Sequence, residues 1–142
     1  MHLVPMFNRT ILAVVALAIS TAASGAKDEP KAECPTHDLE SIEELIRKAP
    51  SCQAAVAVFE MCEFGTSGDV GLGGAVTEKC QADFLGNLSA AQKKIYDRKQ
   101  KRCARKYQNK AGTMYRSFEA FCGAYVARDY SNAFVKAAPK RK

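Results

Sequence analysis

Apolar residues run unbroken from Ile11 to Ile19. Beyond that run they recur at three- and four-residue intervals, which is the period of helices with one buried face. Ser41-Ile42-Glu43-Glu44 has the form of a capping box, and the helix it opens is predicted to stop before Pro50. Ser51 can cap a second helix, in which Val56, Phe59 and Phe64 keep helical spacing with Cys52 and Cys62 until Gly65 ends it. Residues 65–74 hold five glycines and are expected to form turns rather than a stable helix. Helix is expected to resume around Ala75, with Val76, Cys80 and Phe84 on one side, and to end near Gly86-Asn87. Leu88-Ser89-Ala90-Ala91-Gln92 carries the clearest start signal, since Gln92 lies three residues after a capping serine. Tyr96, Gln100, Cys103 and Tyr107 then share one stripe, residues 109–113 interrupt it, and Tyr115, Phe118, Phe121, Cys122 and Tyr125 form the next. No strand-type alternation is long enough to compete, so the pattern predicts an all-α fold: a small disulfide-linked bundle of helical hairpins.

The run at Ile11–Ile19 has a different meaning. Arg9 precedes it, small residues from Ser20 to Ala26 follow it, and it is too short to span a bilayer. Charge, apolar core and small-residue tail in that order form a secretory signal. Cleavage is expected after Ala26, with Ala23 the nearest alternative, which gives a signal peptide at 1–26, one domain at 27–134 and a basic tail at 135–142. The expected location is periplasmic or secreted. No later segment is apolar enough to cross a membrane, and Cys34 lies too far from the run to carry a lipid anchor.

Export decides how the cysteines are read. Cys34, Cys52, Cys62, Cys80, Cys103 and Cys122 all follow the expected cut, and an even number in an oxidising compartment points to three disulfides. There is no C-x-x-C pair, and His37 is the one histidine beyond the signal, so neither a zinc site nor a thiol-exchange enzyme fits. No metal or other cofactor is expected. Fifteen pairings are formally possible. An antiparallel turn through the glycine-rich stretch favours Cys62–Cys80, and one around Gly112 favours Cys103–Cys122, which leaves Cys34–Cys52. The bridge around Gly112 is expected to matter most to activity, because it orients the basic segment 93–110.

Candidate chemistry is sparse. His37 beside Asp38 has no nucleophile placed by sequence to activate, and Glu43 with Glu44, or Glu60 with Glu63, reads as a solvated pair rather than a shielded catalytic one. The glycine-rich stretch lacks the lysine of a phosphate loop and the oxygen ligands of a calcium loop. Charge is more informative. Residues 27–92 hold 5 basic and 12 acidic residues, a net of −7, whereas residues 93–142 hold 15 basic and 3 acidic, a net of +12. Such a basic run is commonly a solvated face, partly paired here with the acidic half. An exported chain has little access to nucleic acid, and none is expected as a partner; anionic envelope lipids or glycans are the available polyanions.

Ser51-Cys52 and the helix to Cys62, then Leu88 to Gln92 followed by Tyr96, Arg98 and Cys103, then Ala111-Gly112-Thr113, Cys122 and Arg128, resemble in their order the N-terminal domain of the LprI-type lysozyme inhibitors. The resemblance spans roughly residues 51–134, with Tyr96 where that family usually has tryptophan. It implies an exported, all-helical, disulfide-linked, non-enzymatic binding domain whose partner is a lysozyme-type hydrolase. Glu40, Glu43, Glu44, Glu60, Glu63 and Asp69 are the candidates for attracting a basic hydrolase, and Arg98, Arg102 and Arg105 for reaching its carboxylates. The alternative is an envelope scaffolding protein, or a binder of anionic lipids or glycans through the basic C-terminal half, with Lys99, Arg102, Arg105 and Lys106 as contacts.

Overall fold

The structure is a computed structural model and describes residues 33–138. The expected signal peptide, Lys27 to Ala32 and the last residues of the basic tail lie outside that range. The described chain is all-α: α1 (Leu39–Lys48), α2 (Cys52–Met61), α3 (Asp69–Phe84) with a 3-10 turn over Leu85–Asn87, α4 (Ala90–Tyr107) and α5 (Thr113–Ala137). None of these helices is long and apolar enough to cross a membrane. α5 runs three residues past the expected domain end at Phe134.

Local signals set most helix ends. Ser51 accepts from the Ala54 amide, and Ser89 with Gln92 forms the reciprocal capping box that starts α4. Pro50 follows the end of α1, and Gly112, at a φ of 106° that favours glycine, separates α4 from α5. Two ends differ from expectation. α1 begins earlier, at Leu39, because the Asp38 carboxylate accepts from the Ser41 amide; Ser41 lies inside the helix instead of capping it. α2 closes at Met61, which leaves Phe64 outside it.

The largest departure is in the glycine-rich stretch. α3 starts at Asp69 and passes through Gly71, Gly73 and Gly74 as regular helix. Packing outweighs the propensity cost of about 1 kcal/mol per glycine. A Cβ on Gly73 would lie 2.8 Å from the Ala120 Cβ and 3.0 Å from its carbonyl oxygen, so only glycine permits this approach of α3 to α5. Ser117, Ala124, Ala127 and Ser131 continue the small-residue face of α5, and all are buried. Asp69 anchors the preceding loop. Its carboxylate accepts from the Phe64 and Gly65 amides at 2.8 and 2.9 Å, and the residue is fully buried.

That early start resets the disulfide register. From Asp69 to Cys80 the helix climbs about 16 Å, which carries Cys80 past the end of α2 to the level of its beginning. The bridges are Cys52–Cys80 and Cys34–Cys62, not the expected Cys62–Cys80 and Cys34–Cys52. Cys34 precedes α1, and α1 folds back along α2, so Cys34 meets the far end of α2 at Cys62. Cys103–Cys122 forms as expected. Each bridge removes about 3–4 kcal/mol of chain entropy from the unfolded state in the loop-closure model.

The core gathers Ile42 and Ile46 of α1, Val56 and Phe59 of α2, and Leu72 and Val76 of α3. Phe59 stacks on Phe121 of α5 with ring centroids 4.0 Å apart. Asp83 accepts a hydrogen bond from buried Ser131.

Two measurements check this account. Non-reducing peptide mapping is expected to recover Cys34–Cys62, Cys52–Cys80 and Cys103–Cys122. In urea unfolding, Gly73→Val is expected to cost about 1–3 kcal/mol by overpacking. Gly74→Ala, where a Cβ meets nothing within 4 Å, is expected to add about 0.5–1 kcal/mol.

Candidate basic binding face

α4 carries eight cations against the single carboxylate of Asp97, a net of +7. Its inner stripe is held at both ends. Tyr96 is buried against Phe84 and Tyr130, and its hydroxyl accepts from Gln81 at 3.0 Å and Gln100 at 2.7 Å. Burial, more than any neighbouring charge, pushes the Tyr96 phenol above its ordinary value. Gln100 also donates to the Gly123 carbonyl, and further along Cys103 is bonded to Cys122. An aromatic and amide contact at one end and a covalent one at the other thus fix the rotation of α4 about its axis.

With Tyr96, Gln100, Cys103 and Tyr107 turned inward, Lys94, Arg98, Lys101 and Arg105 fall on the opposite side. All four are exposed, and they span about 16 Å of helix at 1.5 Å per residue. Among the described residues, no cation of α4 forms an ion pair; the five pairs present join residues of α1, α3 and α5. Among the described residues, the expected pairing of this run with the acidic half is not made.

The structure sorts the named candidates. Arg98, Arg102 and Arg105 are exposed, whereas Lys99 and Lys106 each hold the ammonium 5.0 Å from a tyrosine ring centre, on Tyr130 and Tyr107. Lys94 and Lys101, part of the basic run but not among those candidates, complete the outward row; helical spacing from Tyr96 is the signal that finds them. On the acidic side, Glu40, Glu43 and Glu44 gather around Arg47 in a shallow groove. Two of them are already partnered: Glu43 lies 3.6 Å from Arg47, and Glu44 lies 2.6 Å from Lys48, which holds the Glu44 carboxyl below its ordinary value. Glu63 is exposed, and Glu60 accepts from the Tyr125 hydroxyl at 2.8 Å. Asp69 is withdrawn from any surface role, because both its oxygens are spent on backbone amides inside the fold. His37 is exposed.

A second groove lies where α3, α4 and α5 meet, floored by Gly73, Gly74 and Ala120 and edged by Gln100, Arg116 and Glu119. Arg116 and Glu119 pair with each other at 3.0 Å, and Gln100 is engaged with Tyr96. The polar groups at its edge already have partners.

No protein-family model, curated protein or solved structure matches the chain at a significant level.

The Glu60–Tyr125 contact has a measurable consequence. Desolvation first, and the hydrogen bond to the Glu60 carboxylate second, push the Tyr125 phenol up to about 12. The fold favours its neutral form. Its contribution to stability is therefore intact below the ordinary phenol value of about 10 and is lost as the pH rises through about 12. Ultraviolet difference titration is expected to show one phenol ionising near that value, and Glu60→Gln to move it partway back towards the ordinary one.

Proposed function

We propose that this chain is an exported, non-enzymatic binding protein that docks on anionic material of the cell envelope through the outer face of α4. The observation that carries the reading is the row of Lys94, Arg98, Lys101 and Arg105, exposed and without an ion-pair partner among the described residues. Exposed cations in a row sum their fields over a distance that matches an extended polyanion better than a single small anion. Part of the acidic half is engaged within itself, Arg47 being shared by Glu43 and Glu78 and Lys48 pairing with Glu44. Support for a non-enzymatic role comes from the use made of buried polar groups. Asp69, Tyr96 and Ser131 all hold one part of the chain to another.

A lysozyme-type hydrolase, the partner implied by the family resemblance, is the second reading. What favours it is that Arg98 and Arg105 stand on a fixed helix with guanidinium groups free to enter a carboxylate-lined cleft. Equal rates of cell-wall lysis by lysozyme with and without a large molar excess of the protein would remove it.

Neutralising Lys94, Arg98, Lys101 and Arg105 to glutamine tests the main reading. At about 1 kcal/mol per cation near an anionic surface, binding to anionic vesicles or to a soluble polyanion is expected to fall on the order of 10²–10³-fold. Helicity by circular dichroism is expected to be unchanged. Wild-type binding should weaken steeply with added salt, as the screening length shrinks from about 10 Å at 0.1 M to about 3 Å at 1 M. Binding that ignores both salt and the four substitutions would defeat the proposal.

A further inference from the structure

The apolar stripe of α5 is longer than the surface that covers it. Met114, Phe118, Phe121 and Tyr125 follow one another at four-, three- and four-residue steps, so they share a face. α2 covers the later part, where Phe121 stacks on Phe59 and the Tyr125 hydroxyl donates to Glu60. Met114 and Phe118 lie before that cover begins and remain 48% and 42% exposed. They sit at the closed end of the α4–α5 hairpin. There Phe118 clusters with Tyr107 and Tyr115, at ring-centre distances of 6.1 and 6.0 Å.

The surroundings of this apolar tip are mainly basic: Glu119, next to Phe118, is paired with Arg116, and Asp129, which shares a groove with Phe118 and Lys106, is paired with Arg128. Between Asp97 and Glu119 the chain carries no acidic residue, and Arg105, Lys106 and Lys110 are exposed beside the tip. We propose that the closed end of the hairpin inserts into the headgroup layer of an anionic phospholipid bilayer, with Met114 and Phe118 at the acyl boundary and Arg105, Lys106 and Lys110 on the phosphates. The inference rests on the anionic-surface reading above and narrows it to lipid. A polyanionic glycan satisfies the cations but gives two exposed apolar side chains nothing to enter. A bilayer surface offers both layers at the spacing of an amphipathic element, and tyrosine rings favour that boundary. A second copy docking tip to tip would bring Arg105, Lys106 and Lys110 against their own counterparts.

The chain contains no tryptophan, so Phe118→Trp gives a single reporter at an exposed position. With vesicles of equal parts phosphatidylglycerol and phosphatidylcholine, its emission is expected to shift to the blue and to be quenched by brominated acyl chains. Vesicles of phosphatidylcholine alone should do neither. Met114→Ser combined with Phe118→Ser is expected to weaken binding to the anionic vesicles at least about tenfold, given the apolar area withdrawn from water, while leaving binding to dextran sulfate unchanged. Three outcomes overturn the inference while leaving the anionic-surface reading in place. These are salt-sensitive vesicle binding with no blue shift, dextran sulfate binding with no vesicle binding, and a blue-shifted emission without vesicles that tracks self-association in sedimentation. Binding to neither probe overturns the inference together with the reading beneath it.

Discussion

The approach of α3 to α5 through Gly73 and Ala120 is the contact that makes the described chain one body. The two interleaved bridges, Cys34–Cys62 and Cys52–Cys80, bind the segment before α1 to α2 and α2 to α3. The third, Cys103–Cys122, ties α4 to α5. No disulfide crosses between these two groups. What joins them is non-covalent: the small-residue seam from Ser117 to Ser131, the Phe59–Phe121 stack and the Phe84–Tyr96–Tyr130 cluster. A helix rich in glycine is a poor helix by itself and a good neighbour. The backbone surface that glycine exposes is what the small side chains of α5 pack against.

Legibility in the sequence follows the range of the interaction. A serine hydroxyl capping an amide three residues on, a proline that cannot continue a helix and a glycine at positive φ act within one turn, and Ser51, Ser89, Pro50 and Gly112 could all be read directly. The all-α class and the Cys103–Cys122 bridge followed from the same local signals, because only one short break separates those cysteines. The start of α3 could not be read this way. Its glycines argue against helix locally, and the reason they are tolerated lies on α5, nearly fifty residues away. A helix start near Ala75 puts Cys80 at the wrong level, and with it two of the three expected pairings. Asp69 misled for a related reason: an isolated carboxylate in a glycine-rich stretch looks exposed, and only the folded loop supplies the two amides that bury it.

The division of charge along the chain survives folding. Glu43 and Glu78 meet Arg47 and Glu44 meets Lys48, so the ion pairs of the acidic half are made within it, and among the described residues none reaches the cations of α4. Lys99 and Lys106 spend part of their charge on tyrosine faces, an attraction of about 0.5–1 kcal/mol at exposed sites. Among the described residues, the outward row has no comparable partner. Of the basic run, both the amount of charge and its direction are legible in the sequence, since Tyr96, Gln100, Cys103 and Tyr107 fall on one stripe; the fold adds that the outward cations make no ion pair among the described residues.

Direction is what the Cys103–Cys122 bridge and the Tyr96 contacts would contribute to the proposed binding. A flexible polybasic segment is attracted to any polyanion, but it loses backbone and side-chain freedom when it is ordered on the surface. Here α4 is already helical, and its inner stripe is fixed against α5 before any partner arrives. The cations of the outer row keep their side-chain freedom and their spacing, while the backbone entropy has been given up in folding. The same fixation explains why the uncovered tip of α5 has a defined place. Met114 and Phe118 cannot turn inward, because Phe121, one turn further along the same face, is held on Phe59. A hairpin locked in rotation by its buried side therefore presents both its charge and its apolar end in one orientation, and it is this constraint, rather than the net charge alone, that would give the proposed docking a preferred geometry.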